Sequence, residues 1–155
     1  MPGGGQSPSL LNIPPLYFAL AIMLMFLMHR FLPIVDLVDP PVSRIGCLLV
    51  VGGVAVAAWG RWRFARAGTN VVPFSPSTAL VSDGPFRFTR NPMYLGMMFV
   101  LFGIFVLAGS LGSLLVIPVF FWWIRARFVL PEEGHMAEHF GDAYHAYKQR
   151  VRRWL

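Results

Sequence analysis

Apolar residues come in long unbroken runs along this chain, and the polar positions collect between them. The first run covers residues 13–35; it is uncharged from 13 to 28 and continues past His29 and Arg30. A second covers 45–67, apolar as far as Trp59 and then emerging into Arg61, Arg63 and Arg66. The third, 91–124, holds 34 positions without a charged side chain. As a single helix it would measure about 50 Å, too long for one crossing of a hydrocarbon core about 30 Å thick. The GSLGS stretch at 109–113 divides it, so the pattern predicts a tight hairpin of membrane helices at 93–108 and 114–129. The expected fold class is all-α, an integral membrane bundle of about four transmembrane helices.

The connections carry their own signals. Pro33 bends or ends the first helix, and Asp36, Asp39, Pro40 and Pro41 form the link to the second. In that second helix Gly46, Gly52, Gly53, Ala55, Ala57 and Ala58 suit close helix packing in lipid, and Trp59 and Trp62 fall at the level of an aromatic belt. Residues 69–92 read as irregular, with prolines at 73, 76, 85 and 92. After Pro131 the period changes. Met136, Phe140, Tyr144, Tyr147 and Val151 recur on one helical face, opposite Glu138, Asp142, Lys148, Arg150 and Arg152. This predicts a C-terminal amphipathic helix at the membrane surface, with Trp154 as an interfacial anchor. Residues 1–12, uncharged in their side chains and rich in Gly, Pro and Ser, read as a disordered lead-in without a signal-peptide pattern. Residues 13–155 read as one domain.

Composition supports the membrane class: 56% of residues are hydrophobic and only 13% charged, about half the charged share of a soluble domain. The net charge of +6 is better matched to anionic lipid headgroups than to nucleic acid. Cys47 is the single cysteine, so no disulfide framework is expected. The basic residues cluster after the second helix and from Arg125 onward, with none in the hairpin turn. The positive-inside rule therefore puts segments 69–92 and 131–154, with both termini, on the cytoplasmic side of what reads as a bacterial-type inner membrane.

Those two segments hold the candidate chemistry. Leu80 to Gly96, reading LVSDGPFRFTRNPMYLG, is polar sequence at a membrane boundary, which is costly unless it binds something. Pro92 suits a first helical turn, and the N–H groups of that turn are a seat for a carboxylate or phosphate. Glu132 and Glu133 open the later helix, where carboxylates also complement the dipole. Arg125 and Arg127 stand in apolar surroundings, to snorkel or to pair with an acid. His135, His139 and His145 lack the HExxH pattern, so no metal site is expected. A phosphate-binding loop, GxGxxG and Ser-His-Asp arrangements are absent from the sequence.

Taken together, Gly84, Phe86, Arg90-Asn91-Pro92, Tyr94, Gly96, then a hairpin, then Glu132-Glu133 and Phe140-Gly141, Tyr144 and Tyr147, resemble the isoprenylcysteine carboxyl methyltransferase family and its phospholipid N-methyltransferase relatives. The resemblance covers roughly the last 75 to 90 residues. It implies S-adenosylmethionine as methyl donor, held by Thr78, Ala79, Leu80, Val81, Gly84, Phe86, Arg90, Asn91, Pro92, Met93, Tyr94 and Glu132. It also implies a lipid-like or amphiphilic small-molecule acceptor bearing a carboxylate or an amine, with Arg127, Arg125 and Glu133 as candidates for orienting or deprotonating it. Two positions depart from the family pattern: Asn91 stands where prenylcysteine enzymes have His, and Phe128 where they have an Arg. Two other readings stay open: an NADPH-dependent membrane reductase of sterol-reductase type, and a non-enzymatic four-helix transporter or scaffold. The oligomeric state is left open.

Overall fold

The computed structural model describes residues 13–32, 34–35, 37–38, 42–68 and 79–155. The lead-in, Pro33, Asp36, Asp39, Pro40, Pro41 and Thr78 lie outside these. All regular structure among the described residues is helical. Helix α1 is Pro14–Phe31, α2 is Ile45–Arg66, α3 is Pro92–Ala108, and α4 is one continuous helix, Leu111–Arg150. Helices α1, α2 and α4 are long and apolar enough to cross a membrane, and α3 is a shorter apolar helix. At 17 residues α3 measures about 26 Å, close to a bilayer core. The chain is an integral membrane bundle.

Prolines start α1 and α3, where their missing N–H would be unpaired in any case. Gly109 ends α3 in the left-handed conformation (φ 72°), donating its N–H to the Phe105 carbonyl. The chain then reverses at once into α4. The first helix ends at Phe31, four residues before the expected boundary, because the backbone beyond it has another use. Leu37 N–H donates to the Gly109 carbonyl (2.6 Å) and Leu111 N–H to that of Val35 (3.0 Å). The α1–α2 connection and the hairpin turn therefore pair with each other. Beneath them Ser113 donates to the Ser110 carbonyl, and the Ser110 hydroxyl lies 3.2 Å from His29 Nδ1. Both serines are wholly buried.

Helix α2 runs antiparallel along α3 on a glycine seam. A Cβ at Gly53 would stand 2.6 Å from the Gly96 carbonyl, and one at Gly46 would stand 2.6 Å from that of Gly103. Only hydrogen at these positions permits so close an approach. Helix α1 packs instead on the first part of α4 and on α3. The core at this junction centres on Met25, Leu101, Ile124, Phe128 and Val129, each at most 1% exposed.

Two helices were expected where α4 is one. The join is a π turn at Arg125–Val129, in which Leu130 N–H reaches back to the Arg125 carbonyl. Pro131 explains it: the ring has no N–H to donate and would strike the carbonyl of Arg127 in a regular helix, so the wider turn absorbs the misfit. The charged residues of α4 all lie from Arg125 onward, so the uncharged length that suits a bilayer core ends at this turn. Gly141 (φ 49°, ψ −124°) then kinks the helix. The predicted apolar face of this part does form, but it faces protein. Tyr144, Tyr147 and Val151 pack with Leu80, Met136, Ala137 and Phe140. Trp154 lies against Phe121, ring centroids 5.2 Å apart.

Candidate functional site

The polar ends of α2, α3 and α4 converge through a small set of specific bonds. Gly84 opens a 3-10 turn, Gly84–Arg87, at a positive φ of 59°. It lies against the side chain of Arg63, which is itself paired with Asp83. That turn buries Phe86, 3% exposed, edge-on to Phe64 of α2 at 4.9 Å. The Phe86 carbonyl accepts a 2.7 Å hydrogen bond from the Tyr147 hydroxyl. Phe86 thus ties the 84–87 turn to α2 through its ring and to the end of α4 through its carbonyl.

The chain end forms a strap across the start of α3. Arg90 N–H donates to the Arg152 carbonyl (3.0 Å), and the Thr89 hydroxyl and Asn91 Nδ2 both donate to the Arg153 carbonyl (3.0 and 3.1 Å). The Arg153 side chain grips Glu133 with two bonds of 3.0 and 2.8 Å. Arg90 adds a third cationic contact to Glu133 at 3.4 Å. Glu133 is 8% exposed, and two guanidinium groups compensate the cost of burying its charge. Asn91 occupies the position before α3 but does not cap it, since its amide is turned to the strap.

Beneath the strap lies a cavity of about 600 Å³. Among the expected residues, Leu80, Val81, Phe86, Arg90, Asn91, Pro92, Met93, Tyr94, Glu132 and Glu133 line it. Ala79 lines an adjoining recess with Arg63 and Arg66, which shares Leu80 and Val81 with the cavity. Gly84 supports the wall from behind, and Thr78 falls outside the described residues. Arg125 and Arg127 are not among the lining residues. Arg125 lies over the Trp122 ring (5.1 Å) and Arg127 over that of Phe128 (5.6 Å). The cations on the cavity wall are Arg61 and Arg90.

Two features of the wall point to a ligand. The Arg90 side chain is 9% exposed, and its Nε and Nη1 are buried with no hydrogen-bond partner among the described residues. Unsatisfied buried donors are rare and costly. Glu132 accepts a 2.7 Å hydrogen bond from the Tyr94 hydroxyl, and none of the ion pairs among the described residues involves it. Burial pushes its carboxyl up to about 7, against the lowering effect of the Tyr94 bond. Tyr144, whose hydroxyl burial pushes up to about 12, stays protonated on the same wall. The cavity thus offers spare anion-binding donors, an acid in want of a cation, and aromatic faces. Sequence reasoning missed Arg61, Phe64 and the N-terminal turn of α1 as wall residues, and it missed Arg153 as the clamp on Glu133. No motif marks them.

A family model described as phospholipid methyltransferase matches residues 42–143. Protein-S-isoprenylcysteine O-methyltransferase of Schizosaccharomyces pombe is 31% identical over 72 residues, 46% of this chain and 30% of that protein. An uncharacterized protein of Haemophilus influenzae is 35% identical over 63 residues, 41% of this chain and 100% of its own length. Among solved structures, the eukaryotic intramembrane Ras methyltransferase (isoprenylcysteine carboxyl methyltransferase) has the same fold. Its TM-score is 0.66 over 92% of this chain and 52% of that one, at 21% identity. The chain thus spans less than a third of the yeast relative and about half of the solved one.

Proposed function

The chain belongs to the phospholipid methyltransferase family, and from that premise we propose that it is a membrane methyltransferase using S-adenosylmethionine on an amphiphilic small-molecule acceptor. The observation that carries this reading is the pairing, in one cavity, of unpartnered Arg90 donors with an acid that has no cation beside it. An α-amino acid zwitterion complements both. The residues present therefore fit the donor's methionine part.

Arg90 and the first-turn N–H groups of α3, which no side chain caps, would hold the carboxylate. Glu132, oriented by Tyr94, would hold the ammonium. Phe64, Phe86, Met136 and Tyr144 supply the apolar and aromatic walls that an adenine ring and a sulfonium favour. When bound, S-adenosylmethionine supplies a methyl group on a positively charged sulfur, open to in-line displacement by an acceptor heteroatom. This chain's contribution is positioning and dryness. The helices supply the apolar walls of the cavity, so acceptor and donor would meet against surfaces that exclude water. Positive-inside charge bias supports a cytoplasmic site.

Calorimetry of the purified full chain tests the reading. S-adenosylmethionine is expected to bind and NADPH not to, with binding lost in a Glu132→Ala, Tyr94→Ala double variant. Absence of binding by the wild type, or undiminished binding by the double variant, would overturn it. The reductase and transporter alternatives gain nothing from the geometry. In particular, α3 carries no Asp, Glu, His, Lys or Arg.

A further inference from the structure

Two guanidinium groups hold Glu133, and they hold it on unequal terms. Arg153 takes both carboxylate oxygens in a fork, Nε to Oε1 at 3.0 Å and Nη2 to Oε2 at 2.8 Å. Arg90 reaches Oε1 with Nη2 alone, at 3.4 Å, longer than a good charge-assisted hydrogen bond. Two cations thus share one carboxylate, and the trio keeps one positive charge in excess. That excess falls on Arg90. Its Nε and Nη1 are buried with no hydrogen-bond partner among the described residues, and Arg90 lines the cavity, whereas Arg153 is not among the lining residues. Tyr144, protonated on the same wall, adds no charge to this balance. A guanidinium beside a carboxylate ordinarily pairs with it through two parallel bonds. Arg90 does not, because Arg153 already occupies the acid.

We propose that Arg153 is a positioning residue for the methyl donor: by taking up Glu133 it leaves Arg90 a net cation, with spare donors for the donor's carboxylate. This rests on the S-adenosylmethionine reading of the cavity. Arg153 itself touches no ligand and acts through Glu133. Without its side chain, Arg90 turns its fork onto Glu133 and the pair is neutral. The cavity then keeps Glu132 for the ammonium and the aromatic walls for the adenosyl part, but it loses the cation for the carboxylate. Glu133 has the complementary task of keeping two neighbouring guanidinium groups from repelling each other when the cavity is empty. The strap's other bonds are made by the backbone carbonyls of Arg152 and Arg153. Replacing the Arg153 side chain therefore leaves those bonds in place.

The test is calorimetry of the full chain in neutral detergent with two probes. One is S-adenosylmethionine; the other is decarboxylated S-adenosylmethionine, which keeps the sulfonium, adenosine and amine but has no carboxylate. The wild type is expected to bind the first about tenfold tighter than the second, as one charge-assisted contact predicts. Arg153→Gln should abolish that preference by weakening S-adenosylmethionine alone, leaving the analogue's affinity where it was. Adding Glu133→Gln removes the negative charge and returns the excess positive charge to Arg90, so the double variant should regain the preference. Arg153→Lys should keep most of it. A strap that only braces the fold gives a different pattern: Arg153→Gln weakens both probes alike, and the double variant is no better. That pattern overturns the proposal, as does equal binding of the two probes by the wild type or an Arg153→Gln protein that keeps the preference. In these cases binding by the wild type leaves the S-adenosylmethionine reading standing. If the wild type binds neither probe, that reading falls and the proposal falls with it.

Discussion

Glu132 makes the cavity sensitive to pH, and the sign differs between the empty and the occupied protein. Burial raises its carboxyl from 4.5 to about 7, so the folded protein holds that proton more tightly than the unfolded chain does. The stability linked to it is complete below about 4.5, declines as pH rises and is lost above about 7. The thermal midpoint of the ligand-free wild type should therefore fall between about pH 5 and about pH 8, more steeply than that of Glu132→Gln. A bound ammonium reverses the dependence, because only the carboxylate attracts it. Affinity for S-adenosylmethionine should rise with pH, by at most about tenfold per unit, and level off near 7. A flat binding curve through that range would separate Glu132 from the ammonium. Among the candidate residues, Asn91, Pro92, Tyr94 and Glu132 were legible in the sequence because a proline-initiated helix and a local acid pair announce them. Arg61 and Arg153 were not. Arg153 takes its place from Glu133, 20 residues away, and Arg61 from a wall built by several helices, and no local pattern records either.

The α2–α3 pair shows what an element-level reading catches and misses. Small residues in α2 signalled close packing. The finer signal is the spacing: Gly46, Gly53 and Gly60 lie seven apart, as do Gly96 and Gly103. A seven-residue repeat keeps one stripe facing the partner along a pair of helices. Gly52 sits beside this stripe with nothing within 4 Å of an added Cβ. Gly53→Ala is expected to destabilise the protein by about 1–3 kcal/mol, the usual cost of overpacking, while Gly52→Ala should be neutral or slightly stabilising. Retention of the folded fraction in mild detergent, measured for both, checks the contrast. Equal behaviour would mean the helices can separate freely. The long α4 was misread as two helices for a related reason: Pro131 looks like a break in sequence, and a π turn lets the helix absorb it.

At the scale of the whole molecule, the hairpin turn and the cavity lie at opposite ends of the bundle. The backbone pairing of Val35 and Leu37 with Gly109 and Leu111 ties one end together, and the strap bonds to the start of α3 at the other. Charge bias assigns the strap end to the cytoplasm. With Cys47→Ser as background, a cysteine replacing Lys148 should be labelled by an impermeant maleimide only from the cytoplasmic side. One replacing Leu37 should be labelled only from the other side. The reverse pattern would invert the topology and put the cavity outside. The bundle's class and its approximate crossings were readable from apolar run lengths. The cavity was not, because its wall is assembled from the first turn of α1, from α2, α3 and α4 and from the segment before α3, and no single run records how they meet.

The π turn at Arg125–Val129 has one more effect, on rotational phase. Each residue turns an α-helix by about 100°, so the number of residues between the bilayer and Glu132 decides which way Glu132 points. The turn takes in one residue more than a regular helix would and so indexes everything downstream. Inserting one further alanine after Ala126, beyond the extra residue the wide turn already takes in, should rotate the helix downstream and swing Glu132 by roughly 100° off Tyr94. The expected result is a protein that still inserts in membranes but no longer binds S-adenosylmethionine, whereas Ala126→Gly, which keeps the count, still binds. Between the last crossing and the acid, spacing is under tighter constraint than side-chain identity.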